Sequence, residues 1–482
     1  MAFNNLRDFI GALEQRGQLQ RIPVEVDPIL EIAAISDKVV KAGGPALFFE
    51  QVKGSPYPVV TNLFGTPERT ALALGISDLK ELEARVREVL TLPSPQGWWG
   101  KLKELPRLLE LSKLFPVEVK KAPCQEVVET DRPSLEELPV LKCWPQDGGR
   151  FITLPLVITK DPETGRQNLG MYRMQVFDSR TAGMHWHPHK DGAENYRRAG
   201  TAGNQSLPVA VALGADPATI YAATAPLPLG VDELLLAGFL RRQPVPVVKA
   251  RTVDLLVPAE AEFILEGYVN LEERRPEGPF GDHTGFYTPT EMYPVFHLTA
   301  ITHRAKPLYP ATVVGRPPME DYFLGKVTER LFLPFIQLVL PEVVDFSFPL
   351  EGTFHNCAVV SIRKSYPGHA RKVMHALWGL GQMMYTKTII VVDAHVDVQD
   401  MSQVWWRVFN NVDPRRDLVI TDGPLDALDH SSPQPLYGAK LGIDATSKGP
   451  SEGHHRPWPS EIEVDPATKD LIAKRWKEYG FD

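Results

Sequence analysis

The chain has 482 residues, and at about 150 residues per domain that length predicts two or three domains. Hydrophobic residues make up 43% and charged residues 23%, which excludes a disordered, collagenous or coiled-coil chain. Lys and Arg total 52 against 60 Asp and Glu, a net charge of -8, so nothing draws the chain as a whole to a phosphate backbone and nucleic acid is not an expected partner.

The opening stretch, MAFNNLRDFIGALEQRG, sets Leu6, Phe9, Ile10 and Leu13 at helical spacing. Asp8 interrupts the apolar run that a signal peptide needs, so a folded helix without export is expected. Residues 46–49 read as a strand, and Leu79, Leu82, Val86 and Val89 recur on one face of a charged helix. Together they predict a small α/β unit over residues 1–120. It ends in a basic connector, 97–123, whose helix-like LPRLLELSKLF is broken by Pro106 and Pro116.

Residues 121–322 read mainly as strands. TLPLVIT and NLGMYRMQVF flank Asp161, Pro162, Glu163, Thr164 and Gly165, a hairpin signal. PVAVAL, PVPVVKA and PVFHLTAITH extend the pattern around one short helix, DELLLAGFLRR, which predicts an antiparallel sheet or barrel. The apolar tract 207–240 carries Asp216, Asp232, Glu233 and several prolines, so it cannot cross a bilayer as a helix, and a soluble protein is expected. Over residues 323–482, CAVVSIRK, GHARKVMHALWGL, KTIIVVDAHVD, SQVWWRVFNN and DLVIT alternate strand and helix, which predicts a largely parallel sheet. The expected class is an α+β multidomain protein. Cys124, Cys143 and Cys357 lie far apart without disulfide or zinc spacing, which fits a reducing cytoplasm.

The densest polar cluster is HWHPHKD. At a period of two, His185, His187 and His189 can share a face, and imidazoles ligate zinc, manganese or iron. Pro188 argues against a regular strand, so a metal role and a set of hydrogen-bonded histidines both stay open. Asn168 and Arg173 are five positions apart, on opposite sides of an ideal strand, so a shared site needs a bulge, which Gly170 permits. Taken alone, Asn168 reads as a turn residue and Arg173 as a surface ion-pair partner. Asp232 and Glu233 open a helix, where capping is the simplest role for either. In PEGPFGDHTG, Glu277 and Asp282 flank a loop stiffened by Pro276, Gly278, Pro279 and Gly281, with His283 adjacent, and a rigid pair of carboxylates suits acid–base chemistry. A calcium-binding or merely solvated acidic loop is the alternative.

NLGMYR, the tryptophan-centred segment at 186–189, ALGADPATI, PEGPFGDHTGFY, VVGRPP, YTKTIIVVD and LGIDATSKGP together resemble the UbiD decarboxylases over nearly the whole chain. The resemblance implies a split β-barrel flavin-binding domain in the middle and an α/β dimerisation domain at the C-terminus. It implies reversible, non-oxidative decarboxylation of an aromatic acid, first of all 4-hydroxy-3-polyprenylbenzoate in quinone biosynthesis. Prenylated FMN, supplied by a flavin prenyltransferase, would be the electron sink, with manganese and in many members potassium. Carried over by position, Asn168, His189 and Glu233 match manganese ligands. Met171, Tyr172, Arg173, His185, Trp186, His187, Lys190, Asp191 and, more weakly, Lys387 match cofactor contacts. Arg173, Glu277 and Asp282 match the catalytic network, with Glu277 returning the proton, Asp282 holding substrate or relaying protons, and Arg173 pairing with both.

Departures from the polyprenylbenzoate pattern leave the substrate open. His185 and His187 stand where an arginine and a leucine flank the tryptophan, and Asp191 replaces a usual glycine, whereas Asp282 matches the hydroxybenzoate branch. Another aromatic or heteroaromatic acid, such as a menaquinone precursor, is the alternative substrate. A zinc hydrolase built on His185, His187 and His189, or a non-catalytic assembly subunit, would need no flavin. A homodimer or homohexamer is expected in the cytoplasm, reaching a membrane surface if the substrate is polyprenylated.

Overall fold

A computed structural model describes residues 2–90, 114–188, 190–228, 230–354 and 356–481. The first helix, Leu6–Gln15, buries Leu6, Phe9, Ile10 and Leu13 as the spacing predicts, and Asn5 caps it by accepting the Asp8 amide. Its sheet has four strands in the order Leu19–Val26, Ala46–Val52, Val59–Thr61 and Tyr309–Pro310. The last strand returns from the end of the central region, a closure that local periodicity cannot reveal. The Leu79–Leu90 helix buries Leu82 and Val86 while Val89 stays exposed. The LPRLLELSKLF segment lies almost wholly outside the described residues.

The central sheet is antiparallel throughout. Its strands run Arg150–Ile152, Met174–Val176, Thr181–Met184, Glu291–His303, Phe263–Glu277, Ser206–Leu213, Leu156–Lys160 and Gln167–Met171, with Val127–Glu129 paired beside Glu291–His303. The expected hairpin joins Leu156–Lys160 to Gln167–Met171, its turn held by Asp161 Oδ1, which accepts the Glu163 and Thr164 amides, and by Gly165 at φ +71.

Gln167–Met171 ends one side of this sheet, yet the next strand, Met174–Val176, lies near the other side. Only Tyr172 and Arg173 separate the two strands, so the sheet must curl until its edges nearly meet. These two residues sit at the seam of the resulting half-barrel. The strand break at 172–173, rather than a bulge at Gly170, therefore redirects Arg173. Gly170 is needed for another reason, because a Cβ there would lie 2.3 Å from the Tyr172 hydroxyl.

A 20-residue helix, Glu320–Val339, leads into the C-terminal region; Pro334 inside it hid it from the sequence pattern. Glu320 in its first turn accepts the Asn62 and Phe64 amides and the Thr312 hydroxyl, anchoring that end to the N-terminal unit. The last sheet runs Val343–Ser347, Cys357–Ile362, Thr388–Asp393, Tyr437–Asp444, Leu418–Pro424. Its three middle strands are parallel as expected, but both edge strands are antiparallel, so the sheet is mixed. Leu418–Pro424 and Tyr437–Asp444 are joined without a crossover helix, and that connection dictates antiparallel pairing. Among the described residues no helix is long and apolar enough to cross a membrane.

Candidate active site

The seam of the half-barrel and the loop that follows Phe263–Glu277 meet at Arg173. Its Nε and Nη2 donate to the two carboxylate oxygens of Glu277 at 3.0 and 3.1 Å, a bidentate fork. Its Nη1 donates to Asp282 Oδ2 at 2.6 Å, and Nη2 also reaches the Thr288 hydroxyl. The guanidinium lies over the Phe280 ring at 4.4 Å. Glu277 is wholly buried and Asp282 almost so. Burial alone would push both carboxyls up. The hydrogen bond from His185 and the charge of Arg173 instead bring Glu277 down to about 2, and His283 with Arg173 holds Asp282 below the usual carboxylate range. Both acids are therefore ionised at rest.

His185 Nδ1 lies 2.9 Å from Glu277 Oε2, and His185 Nε2 lies 2.7 Å from His187 Nε2. Burial holds both imidazoles below their ordinary pKa, His187 at about 3, so both are neutral. An ionised Glu277 must receive a proton donor, which assigns N–H to Nδ1 of His185 and then to Nε2 of His187. With these nitrogens facing each other and Glu277, His185 and His187 do not converge on a metal, which argues against the zinc-hydrolase reading. His189 lies outside the described residues.

A second group forms behind the seam. The Asn168 side-chain amide, turned so that its nitrogen donates, is 3.1 Å from Glu233 Oε1 and 3.3 Å from Asp191 Oδ2. Glu233 Oε2 accepts the Leu169 amide at 3.0 Å. Burial pushes Glu233 up to about 8 and raises Asp191 as well. With Oδ1 of Asn168 turned the other way, three oxygens face one another, an unfavourable arrangement that a hard divalent cation would satisfy. The donor set therefore fits such an ion. No cluster of three or more His, Cys, Asp or Glu is arranged for a metal among the described residues.

The other candidates distribute around these two groups. The Met171 amide donates to the Ala223 carbonyl, and the Tyr172 hydroxyl accepts the Gly192 amide at 3.4 Å. Trp186 stands edge-on to Tyr172 at 6.5 Å, and Gly192 lets it close, since a Cβ there would be 2.7 Å from the indole nitrogen. The indole Nε1 is buried without a hydrogen-bond partner among the described residues. Lys190 reaches Gln382 of the C-terminal region at 3.5 Å. Lys387 pairs with Asp429 at 2.8 Å and Ser431 at 2.7 Å.

Asp147, a residue without an assigned role in the sequence pattern, ties the acidic loop to the sheet. Its Oδ1 accepts the Gly281 amide, while Oδ2 accepts the amides of Cys143 and Trp144. The Gln175 side chain accepts the Gly278 amide at 2.7 Å, and Gly148 leaves room for the Gly278 carbonyl, 2.1 Å from where a Cβ would stand. The Asp-Gly-Gly run at 147–149 was the available signal.

Three family models match in order. Residues 10–88 match the N-terminal domain of 3-octaprenyl-4-hydroxybenzoate carboxy-lyase, residues 116–317 its Rift-related UbiD domain, and residues 322–445 its C-terminal domain. An uncharacterized protein of Archaeoglobus fulgidus is 54% identical over 479 residues, covering 99% of each chain. Among solved structures, the closed form of Sedimentibacter hydroxybenzoicus vanillic acid decarboxylase is 31% identical, with a TM-score of 0.86 over 100% of both chains. The UbiD-class enzyme HmfF of Pelotomaculum thermopropionicum, in complex with FMN, is 30% identical, with a TM-score of 0.82 over 98% of this chain and 100% of that one. An evolved dimeric form of HmfF is in complex with prenylated FMN.

Proposed function

The chain belongs to the UbiD family of carboxy-lyases, and from that premise we propose that it reversibly decarboxylates a 4-hydroxybenzoate bearing a 3-substituent at the Arg173, Glu277 and Asp282 site. The observation that carries this reading is the buried bidentate pair of Arg173 with Glu277, shared through Nη1 with Asp282. The substrate class rests on what two similar proteins act on: the octaprenyl acid of the family description and vanillic acid both carry a 4-hydroxyl and a 3-substituent. A polyprenyl chain in quinone biosynthesis is the first assignment for that substituent. A small group is the second, favoured by the polar His187 where the polyprenylbenzoate pattern has a leucine.

Prenylated FMN, when bound, supplies the sink for the electron pair that departing carbon dioxide leaves on the ring carbon. Met171, Tyr172, Arg173, His185, Trp186, His187, Lys190 and Asp191 would hold it, with Lys387 a weaker contact, and Asn168, His189 and Glu233 would hold manganese. Arg173 fixes both carboxylates and shields them from water. Glu277, ionised at rest and oriented by His185, takes the ring proton in the carboxylation direction; in decarboxylation it first takes up a proton from solvent and then delivers it to the ring carbon. Asp282 balances Arg173 and keeps it from swinging away.

Producing the chain with and without a flavin prenyltransferase tests the reading. Visible flavin absorbance, bound manganese and carbon dioxide release are expected with it, and their joint absence would reject it. Glu233→Gln is expected to cut bound manganese at least about tenfold, because a neutral amide replaces a charged oxygen ligand. Wild-type manganese content in that variant would contradict the assignment.

A homodimer is part of the proposal. On the Met401–Asn411 helix Trp405 and Trp406 are exposed and Phe409 is 79% exposed, and the Pro466–Arg475 helix buries no residue. A ten-residue helix is marginal without a packing partner. Light scattering is expected to give twice the chain mass, and Phe409→Glu to lower it; a monomeric wild type would reject the dimer.

A further inference from the structure

His283 joins Arg173 in the buried set around Asp282. Its backbone amide and its Nδ1 both address Asp282 Oδ1, at 2.8 and 3.0 Å, while Arg173 holds Oδ2. Asp282 is thus gripped from both ends, and with His283 charged, two cations balance two carboxylates. Only 15% of the His283 side chain is exposed.

The imidazole is also held by elements beyond its own loop. Its ring stacks on Phe354 at 5.0 Å and 29°. Phe354 and the preceding Thr353 both have left-handed backbone, φ 56 and 42, a conformation that side chains disfavour and that packing must impose. The Phe354 ring in turn rests on the Glu320–Val339 helix, where a Cβ at Gly325 would lie 3.3 Å away. Among the described residues, the charges of Asp282 from its own loop, Asp321 from the first turn of that helix, and Asp426 from the C-terminal region all act on the imidazole. Burial pulls the imidazole pKa down, but the hydrogen bond and charge of Asp282, with Asp321 and Asp426 behind them, leave it above the ordinary value. Asp321 is itself pushed up to about 6 by burial, so it is largely ionised at neutral pH.

We propose that His283 is a positioning residue for the decarboxylation. As an imidazolium bonded to Asp282 and stacked on Phe354, it fixes Asp282 against Arg173 and so holds the Arg173–Glu277 fork in register. Loss of the imidazolium charge opens the clamp, so turnover falls on the alkaline side. The kinetic part rests on the function proposed above; the clamp itself does not.

Two measurements on the full chain separate these. The first is the unfolding midpoint against pH for wild type and His283→Gln, which keeps a donor but no charge. The stability advantage of wild type should be full below about pH 6.5 and shrink as pH rises through the folded pKa. A pH-independent difference would overturn the clamp whether or not the chain decarboxylates. The second is the kcat and KM profile of the holoenzyme, with whichever of vanillate, 4-hydroxybenzoate and 3,4-dihydroxybenzoate the wild type turns over fastest. His283→Gln should lose roughly tenfold to a hundredfold in kcat with KM within about threefold, and lose the alkaline limb. Asp321→Asn, which changes only a charge facing the ring, should move that limb to lower pH, and it serves alone if the glutamine variant does not fold. A His283→Gln enzyme that keeps the limb, or an unshifted limb in Asp321→Asn, would overturn the positioning role.

Discussion

Glutamine at position 277 is expected to lower turnover about a thousandfold, within the 10²–10⁴ range of a lost general acid or base, while cofactor content stays near wild type. The two side chains have the same shape, so packing around this fully buried position is kept. What changes is the hydrogen-bond arithmetic. The carboxylate accepts from Arg173 Nε, Arg173 Nη2 and His185 Nδ1, three donors on two oxygens. An amide offers one oxygen, and its NH2 meets donors, so at least one of the three loses its acceptor and the ring proton has no base to move to. Turnover within tenfold of wild type would remove Glu277 from the chemistry.

Arg173→Met should have the largest effect on stability, about 3–5 kcal/mol at neutral pH, because removing one partner strands buried charges on the other. Glu277 would keep only neutral His185 beside it, and Asp282 only His283. The sign of the pH dependence follows from the depressed carboxyls. Pairing with Arg173 stabilises the fold above the unfolded carboxylate pKa and is lost as pH falls through the folded value, about 2 for Glu277. The gap between wild type and variant in urea midpoints should therefore be widest near neutrality and narrow progressively below about pH 4. Arg173→Lys should also lose most activity, since an ammonium cannot make the fork to Glu277 and still reach Asp282. An Arg173→Met protein as stable as wild type would show that the carboxylates are not held by this cation.

The parts of the fold that follow from local periodicity were legible. Leu6, Phe9, Ile10 and Leu13 mark a helix, and the Asp161 turn marks a hairpin, because each depends on neighbours a few residues away. The seam at Tyr172 and Arg173 was not legible, since it arises from the curl of a whole sheet whose two sides are distant in sequence. The histidines show the same limit. The chain leaves the sheet at Met184, so alternation no longer governs His185 and His187, which turn toward each other instead of sharing a face. Arg173, Glu277 and Asp282 lie on the strand end and loop that the sequence singled out, but their direct contacts required tertiary structure. Asp147 is marked only by the Asp-Gly-Gly run that it opens, because its partners are the backbone amides of Cys143, Trp144 and Gly281.

Labelled bicarbonate exchange reads out the reaction at the Arg173, Glu277 and Asp282 site. The chain, produced with a flavin prenyltransferase, is incubated with a panel of 4-hydroxybenzoates carrying hydrogen, hydroxyl, methoxyl or a prenyl chain at position 3. Label is expected to enter the carboxylate of at least one 3-substituted acid, only in protein carrying the prenylated flavin, and to be abolished by Glu277→Gln. Flavin-loaded wild type that exchanges none of these acids, or exchange that persists undiminished in Glu277→Gln, would contradict the account.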